Sequence, residues 1–571
     1  MAMLSAASAL INRLAFSETI SRRDAATLSL IVVLHVAALA IMAATEISIL
    51  QKAIFLFTWG LFNFFWLGVL RRPAIAAALS LALILALIVV SQFKHDKLLM
   101  TVNFVDLMIL DSDTITFFLT IYPDLMRKAV IAAFVAVPIL ALLWWLDPFR
   151  VRLRIAAAGF SLCLLGAAGI SIVSPMQPHE AFFSDGYVSK FVNSGVEAIL
   201  EFAARGYMDS DVAVAGNFKL AAAGACQPAA KLPHIILILD ESSFDITAAP
   251  GIKVPGDYGP HFRSFDGKAR QLVVEGAGGP TWFTEYAVLT GLSARSFGRF
   301  SYFVTRIAAG RVERGLPRSL DRCGYHTTTL YPARGAFMSA RSFQKTTGID
   351  RFLDGKDMGS SGIETDSFFY DQAARVIERE RSNGPQFIFT YLAANHFPWD
   401  HTYRADLTPD WRNLGNPPHI EEYLRRQSLS VQDYAAFRAR LRHDFPTESF
   451  LLVRFGDHQP DFAERIIDPK LKESQIAQRV QAFDPRYFTT YYAIDAVNFK
   501  PADVTSAFDT LEAPYLPLVI QEAAGLPLDP TFAEQKKVLK RCQGRFFLCD
   551  GGGEARRFNR LLIDAGLIKG L

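Results

Sequence analysis

The sequence predicts a five-helix transmembrane domain followed by an α/β domain with a central, mostly parallel sheet. Three observations carry this reading. Long apolar runs crowd the first ~175 residues, whereas the remainder has the Arg, Asp and Glu density of an ordinary soluble domain. In that remainder, apolar runs at 234–239, 327–331, 387–392 and 450–455 alternate with helical patterns, as expected of α/β layering. Three of these runs stop abruptly at reactive side chains: Asp240-Glu241-Ser242, Asn395-His396 and Gly456-Asp457-His458. Ligand and metal sites of an open α/β sheet gather past the carboxyl ends of its strands.

With 571 residues the chain is too long for one core, and three regions are expected. Residues 1–175 form the transmembrane domain, 176–232 a juxtamembrane linker and 233–571 the extracytoplasmic catalytic domain. Five segments, 26–48, 53–70, 73–90, 129–146 and 155–173, have about the 17–25 apolar residues that span a bilayer. The first starts too late and runs too long for a cleaved signal peptide, and further spans follow it. With the N-terminus inside, Arg13, Arg22, Arg23, Arg71, Arg72, Arg150, Arg152 and Arg154 are cytoplasmic, against Lys52, Lys94, Lys97, Arg127 and Lys128 outside. The excess favours that orientation and puts everything after the fifth span outside the cytoplasm. Between the third and fourth spans, residues 94–128, with Asp106, Asp111 and Asp113, are expected to form short helices in the outer interface. Their role is either a lipid-facing rim or a plain connector. The linker holds an amphipathic portion, 186–202, and the Ala/Gly-rich AAAGACQPAAK.

A net charge of +3 and the lack of a basic tail give no case for nucleic acid. Of the five cysteines, Cys163 lies in an apolar span and reads as packing. Cys542 and Cys549 flank a short loop and suit a disulfide in an oxidising compartment, and Cys226 with Cys323 is a possible second pair. Without CxxC spacing, zinc is the lesser reading for these four.

The metal candidates are Glu241, Asp457 and His458, because hard divalent cations prefer carboxylate oxygen and Mn or Zn accepts imidazole. Singly, Glu241 reads equally as a helix N-terminal carboxylate and His458 as a core histidine. Their shared placement at strand ends favours one site. The nucleophile candidate is Thr281 in EGAGGPTWFTEYAVLTGL. A tight Gly-rich turn leads into a helix whose N-terminus favours phosphate, and metal coordination would activate the weak hydroxyl. An ordinary N-cap is the plain alternative. His396 in AANHFPW is the general-acid candidate. His326, His401, His419 and His443 have no comparable setting.

The ordered set Glu241-Ser242, the Gly-rich turn with Thr281, Asn395-His396-Phe397-Pro398 and Gly456-Asp457-His458 resembles the alkaline phosphatase/sulfatase superfamily. Within it the chain is similar to lipoteichoic acid synthase-like and phosphoethanolamine or phosphoglycerol transferase membrane enzymes, over nearly its whole length. The resemblance implies a sulfatase-like fold for the α/β domain and a multi-pass protein of the inner (cytoplasmic) membrane whose catalytic domain faces the periplasm. It implies one divalent ion, Mn, Mg or Zn, on Glu241, Thr281, Asp457 and His458. Thr281 would attack a phospholipid headgroup phosphorus, release diacylglycerol and pass the group to a glycan or lipid acceptor. His396 would contact the transferred phosphate. Phe337 and Arg341, with Arg334 as a rival, and Trp399 would bind substrate. The His usual in the lipoteichoic acid enzymes is replaced by Tyr331-Pro332, so the headgroup stays open. A sulfatase proper is excluded by the lack of a CxPxR-type motif at the nucleophile. Two other readings are a metal-dependent phosphodiesterase or phosphatase with water as acceptor, and a catalytically silent lipid- or partner-binding protein.

Overall fold

The computed structural model of the chain describes residues 21–98, 101–109, 115–116, 119, 124–175, 184–211, 226–227 and 231–571. Arg13, Asp111, Asp113 and most of the Ala/Gly-rich stretch lie outside them. The chain divides into two compact units, Met1–Leu110 with Phe118–Ala204, and Asp111–Phe117 with Arg205–Leu571.

Among the described residues of the first unit, five helices are long and apolar enough to cross a membrane: α1 (Arg22–Thr45), α2 (Ile49–Leu70), α3 (Pro73–Leu98), α4 (Asp124–Leu146) and α5 (Leu153–Val173). The turn into α2 is built by a capping box. Ser48 Oγ accepts from the Gln51 N–H, and Gln51 Oε1 accepts from the Ser48 N–H. Small residues let α2 and α5 approach: a Cβ on Gly166 would lie 2.4 Å from the Phe57 ring, and one on Gly159 2.5 Å from that of Phe64. After α3 a short 3-10 helix, Phe104–Ile109, is tied back by Lys94 to Asp106 at 2.7 Å. Helix α6 (Tyr187–Arg205) starts against buried Glu46, which accepts from the Val188 N–H (3.2 Å) and Ser189 Oγ (2.6 Å). Its other face leaves Ile199, Leu200 and Phe202 exposed, the pattern of an interfacial helix.

The second unit is built on eight strands: β1 (His234–Asp240), β2 (Arg270–Val273), β3 (His326–Leu330), β4 (Arg351–Leu353), β5 (Gln386–Tyr391), β6 (Phe450–Gly456), β7 (Thr489–Val497) and β8 (Thr510–Glu512). Their order is β4-β3-β5-β1-β6-β7-β2-β8. From β4 to β6 all neighbours are parallel, β7 is antiparallel to both β6 and β2, and β8 is parallel to β2. Strands β1 and β6 are buried along their whole length, which explains the apolar run of β1 and that of β6, broken by the buried Arg454. Each large apolar side chain among Ile235–Leu239 contributes roughly 1.5–3 kcal/mol as an upper bound. Helices α7 (Thr281–Thr290), α8 (Asp366–Glu380) and α9 (Pro418–Asp444) flank the sheet. Phe369 and Ile377 of α8 and Phe437 and Leu441 of α9 share a core with Ile236, Ile388 and Leu452. Disulfides join Cys226 to Cys323 and Cys542 to Cys549, while Cys163 is free and buried.

Gly456 ends β6 at a place where no side chain fits: a Cβ there would sit 1.8 Å from the Ser243 carbonyl oxygen. The strand end and the turn after β1 are thereby brought together, and each is followed or preceded by a reactive residue. Gly456→Ala should destabilise the domain by about 3 kcal/mol or more, since the opposing atom is backbone and cannot rotate away. Thermal denaturation of the purified chain checks this; an unchanged melting temperature would contradict it.

Candidate metal and phosphate site

The site grows from the carboxyl ends of β1 and β6, which pair in register at Asp240 and Gly456. The next residues, Glu241 and Asp457, are therefore neighbours across the strand gap. Ser242 takes a left-handed conformation (φ 52°) and closes the turn. Its N–H donates to Asp457 Oδ1 (2.8 Å) and its hydroxyl to Glu241 Oε1 (2.8 Å). Thr284 of α7 donates to the Asp457 carbonyl (2.6 Å), anchoring α7 to the same turn.

His458 lies beside the pair. Its Nδ1–H donates to the Gln459 carbonyl (2.9 Å), and that bond assigns the tautomer with a lone pair on Nε2. Nε2 stands 3.2 Å from Asp457 Oδ2, 3.7 Å from Glu241 Oε1 and 3.4 Å from Thr281 Oγ1. One donor atom each from Glu241, Asp457 and His458 falls within 4.8 Å of the others. All three residues are buried, and Asp457 Oδ2 has no hydrogen-bond partner.

The electrostatics are those of a site built for a cation. Burial raises the Glu241 carboxyl well above its ordinary range, and the facing Asp457 carboxylate adds to this. Burial raises Asp457 too, opposed chiefly by His458 and by the N–H of Ser242. Two hard oxygens, one imidazole lone pair and an adjacent hydroxyl suit Mn, Mg or Zn. An orphaned carboxylate oxygen in a dry site is what such an ion would satisfy.

Thr281 opens α7 and is half-buried. The positive end of the helix dipole falls on it. The expected cradle of open N–H groups is only partly there, because the Thr281 and Phe283 N–H groups donate to the Gly279 and Pro280 carbonyls. His396 is half-buried; burial pushes its imidazole down to about 4, so it is neutral near pH 7, and its Nδ1–H donates to the Phe397 carbonyl (2.7 Å). Arg426, missed from sequence, fixes this loop by donating to the His396 (2.7 Å) and Pro398 (2.9 Å) carbonyls. The adjacent Glu422, which accepts from Arg426 Nε at 2.6 Å one helical turn away, was the available signal.

The expected substrate residues divide. The Phe337 ring stands edge-on to Trp282 with centroids 6.2 Å apart, one residue from Thr281. Arg334 is exposed, without an acidic partner among the described residues. Arg341 is not an open cation: its guanidinium donates to Asp354 (2.6 Å), Asp357 (3.1 Å) and the Phe352 carbonyl (3.1 Å). Trp399 is a correction. It is 6% exposed, packs against Tyr423 and Phe462 and donates to Asn395 Oδ1 (3.3 Å). Its indole has an apolar pocket and a buried partner, which makes it core rather than a substrate contact.

The two facing carboxylates give a sign test. With divalent ions chelated at pH 8 or above, Glu241→Gln should raise the melting temperature, because it removes one of two like charges held out of water. With saturating Mn the same substitution should lower it, because a ligand is lost. Scanning fluorimetry in both buffers checks this, and a shift of the same sign in both would contradict the reading.

Residues 233–487 match the model of the Sulfatase family. A protein of Haemophilus influenzae described as uncharacterized is 24% identical over 216 residues, covering 35% of this chain; the chain spans 39% of that relative's length. Among solved structures, the chain is similar to the Streptococcus pyogenes phosphoglycerol transferase GacH in complex with sn-glycerol-1-phosphate. There the identity is 16%, over 59% of this chain and 87% of that one, with a TM-score of 0.46. It is also similar to the integral membrane lipooligosaccharide phosphoethanolamine transferase A (EptA) of Neisseria meningitidis, at 10% identity over 80% and 88% of the two chains, with a TM-score of 0.41. The stretch that matches the Sulfatase model thus follows the five apolar helices and holds Glu241, Thr281, His396, Asp457 and His458.

Proposed function

We propose that the chain transfers a phospholipid headgroup, phosphoglycerol or phosphoethanolamine, to an extracytoplasmic glycan or lipid acceptor through a phospho-threonine on Thr281. The observation that carries this is the convergence of Glu241, Asp457 and His458 on the Thr281 hydroxyl at the start of α7. Five apolar helices would tether the domain to the membrane that holds the donor. The Lys and Arg distribution and the two disulfides support an outward-facing domain.

A divalent ion held by Glu241, Asp457, His458 and Thr281 would lower the hydroxyl's pKa and screen phosphate charge. Thr281 Oγ forms the bond to phosphorus while the bond to the diacylglycerol oxygen breaks, and diacylglycerol leaves with a proton. An acceptor hydroxyl then attacks the same phosphorus; the bond to Thr281 Oγ breaks and the threonine regains its proton. His458 Nε2, 3.4 Å from Thr281 Oγ1, orients the hydroxyl for both steps. His396 is neutral before substrate arrives, and an anionic phosphate beside it favours the imidazolium, the form able to protonate a leaving oxygen.

Thr281→Ala should lower diacylglycerol release from phosphatidylglycerol or phosphatidylethanolamine vesicles by about 10³-fold or more, as expected for loss of a covalent nucleophile. Thr281→Ser should retain part of it. Mass spectrometry of peptides from wild type mixed with donor alone should find Thr281 carrying the headgroup. Undiminished release by Thr281→Ala would overturn the assignment, and phosphate products with water as the sole acceptor would favour a phosphodiesterase.

A further inference from the structure

Past the carboxyl ends of β3 and β4 lies a cavity of about 360 Å³ lined by Arg334, Gly335, Ala336, Arg341, Asp354 and Lys356. These strands belong to the parallel part of the sheet, so the cavity opens on the rim that carries Glu241 and Asp457. Strand β3 is two strands from β1, roughly 10 Å at the usual interstrand spacing. Phe337, next to the lining residue Ala336, reaches back to Trp282 beside Thr281. The cavity is thus a neighbour of the nucleophile rather than part of its ligand cluster.

Its charge does not balance. Arg341 is taken up by Asp354 and Asp357. Arg334 and Lys356 are both exposed, and neither has an acidic or hydrogen-bonding partner for its side chain among the described residues. Asp354 is spent on Arg341 and on the Gly335 N–H, which holds the Arg334 loop against the start of the short helix Gly355–Met358. Arg334 and Lys356 thus both line one recess whose fixed carboxylate is already taken up. A guanidinium and an ammonium placed so select a phosphate or carboxylate.

We infer that this cavity is an anion subsite, in which Arg334 and Lys356 hold a phosphate or carboxylate of a substrate while another part of that substrate is placed at Thr281. This rests on the proposed transfer and narrows its acceptors to molecules bearing an anionic group, because the single phosphate of the donor is the one placed at Thr281.

The test uses the full-length chain in detergent and glucose 6-phosphate as the probe, with glucose as the neutral control. Lys356 is acylated with an amine reagent and Arg334 modified with phenylglyoxal, and both are read by peptide mass spectrometry. Glucose 6-phosphate should slow both modifications at least fivefold and glucose should not. In Arg334→Ala, protection of Lys356 should fall. No protection, or equal protection by glucose, would overturn the inference. The source of the anion follows from steady-state kinetics of the Arg334→Ala/Lys356→Ala chain. A KM for glucose 6-phosphate as acceptor raised at least fivefold, with that for phosphatidylglycerol unchanged, assigns it to the acceptor, and an unchanged KM for glucose 6-phosphate would contradict this. Protection without any diacylglycerol release by the wild type would leave the subsite standing and remove the transferase reading; release without protection would do the reverse.

Discussion

Two carboxylates, Glu241 and Asp457, are held out of water side by side, and the rest of the second unit is arranged so that they stay there. Left alone, the pair is unfavourable, since burial and mutual repulsion raise both acids. A domain that keeps such a pair needs an opposing charge, and the lone pair of His458 and the hydroxyl of Thr281 complete a donor set for one. Each partner is fixed by backbone geometry: the left-handed Ser242, the Gly456 contact with Ser243, and the Thr284 bond to Asp457. Function is thus tied to the register of β1 against β6, because a slip of one residue would part Glu241 from Asp457.

Behind this pair runs a buried polar network that supports the strand ends. Asp240 accepts from Tyr491 and pairs with His261 at 3.0 Å. Arg454 donates to the His261 carbonyl (2.8 Å) and to Asp495 (3.3 Å), which also accepts from Tyr434 (2.7 Å). The neighbours His261, Tyr491 and Arg454 hold the Asp240 carboxyl below its ordinary range in spite of burial. Two adjacent acids on one strand end are therefore driven in opposite directions. Asp240 is paired with His261 and Tyr491, while Glu241 faces Asp457 with only the Ser242 hydroxyl donating to it.

Much of this architecture was legible in the residues because burial on both faces leaves an unbroken apolar run. Strands β1, β5 and β6 carry apolar runs, whereas β3 is a buried row of Thr with Leu330 as its one apolar residue. Strands β2, β4 and β8 have only three or four residues, too few for a pattern, and β7 mixes Thr, Tyr and Asp because its polar groups serve the buried network. The membrane spans were visible for the same reason as the core strands. In the site, residues at strand ends could be read because the abrupt change from apolar to ionisable marks them. The misread residues depend on three-dimensional partners. Trp399 follows a motif histidine yet turns inward onto Tyr423 and Phe462, and Arg341 is absorbed by Asp354 and Asp357. Ser242 and Arg426 act through backbone contacts that no spacing rule announces.

The most direct measurement is an anomalous difference map from crystals of the extramembrane domain grown with Mn. The account predicts one strong peak in contact with the carboxylates of Glu241 and Asp457, the Nε2 of His458 and the hydroxyl of Thr281. A peak placed elsewhere, or none at saturating Mn, would contradict it.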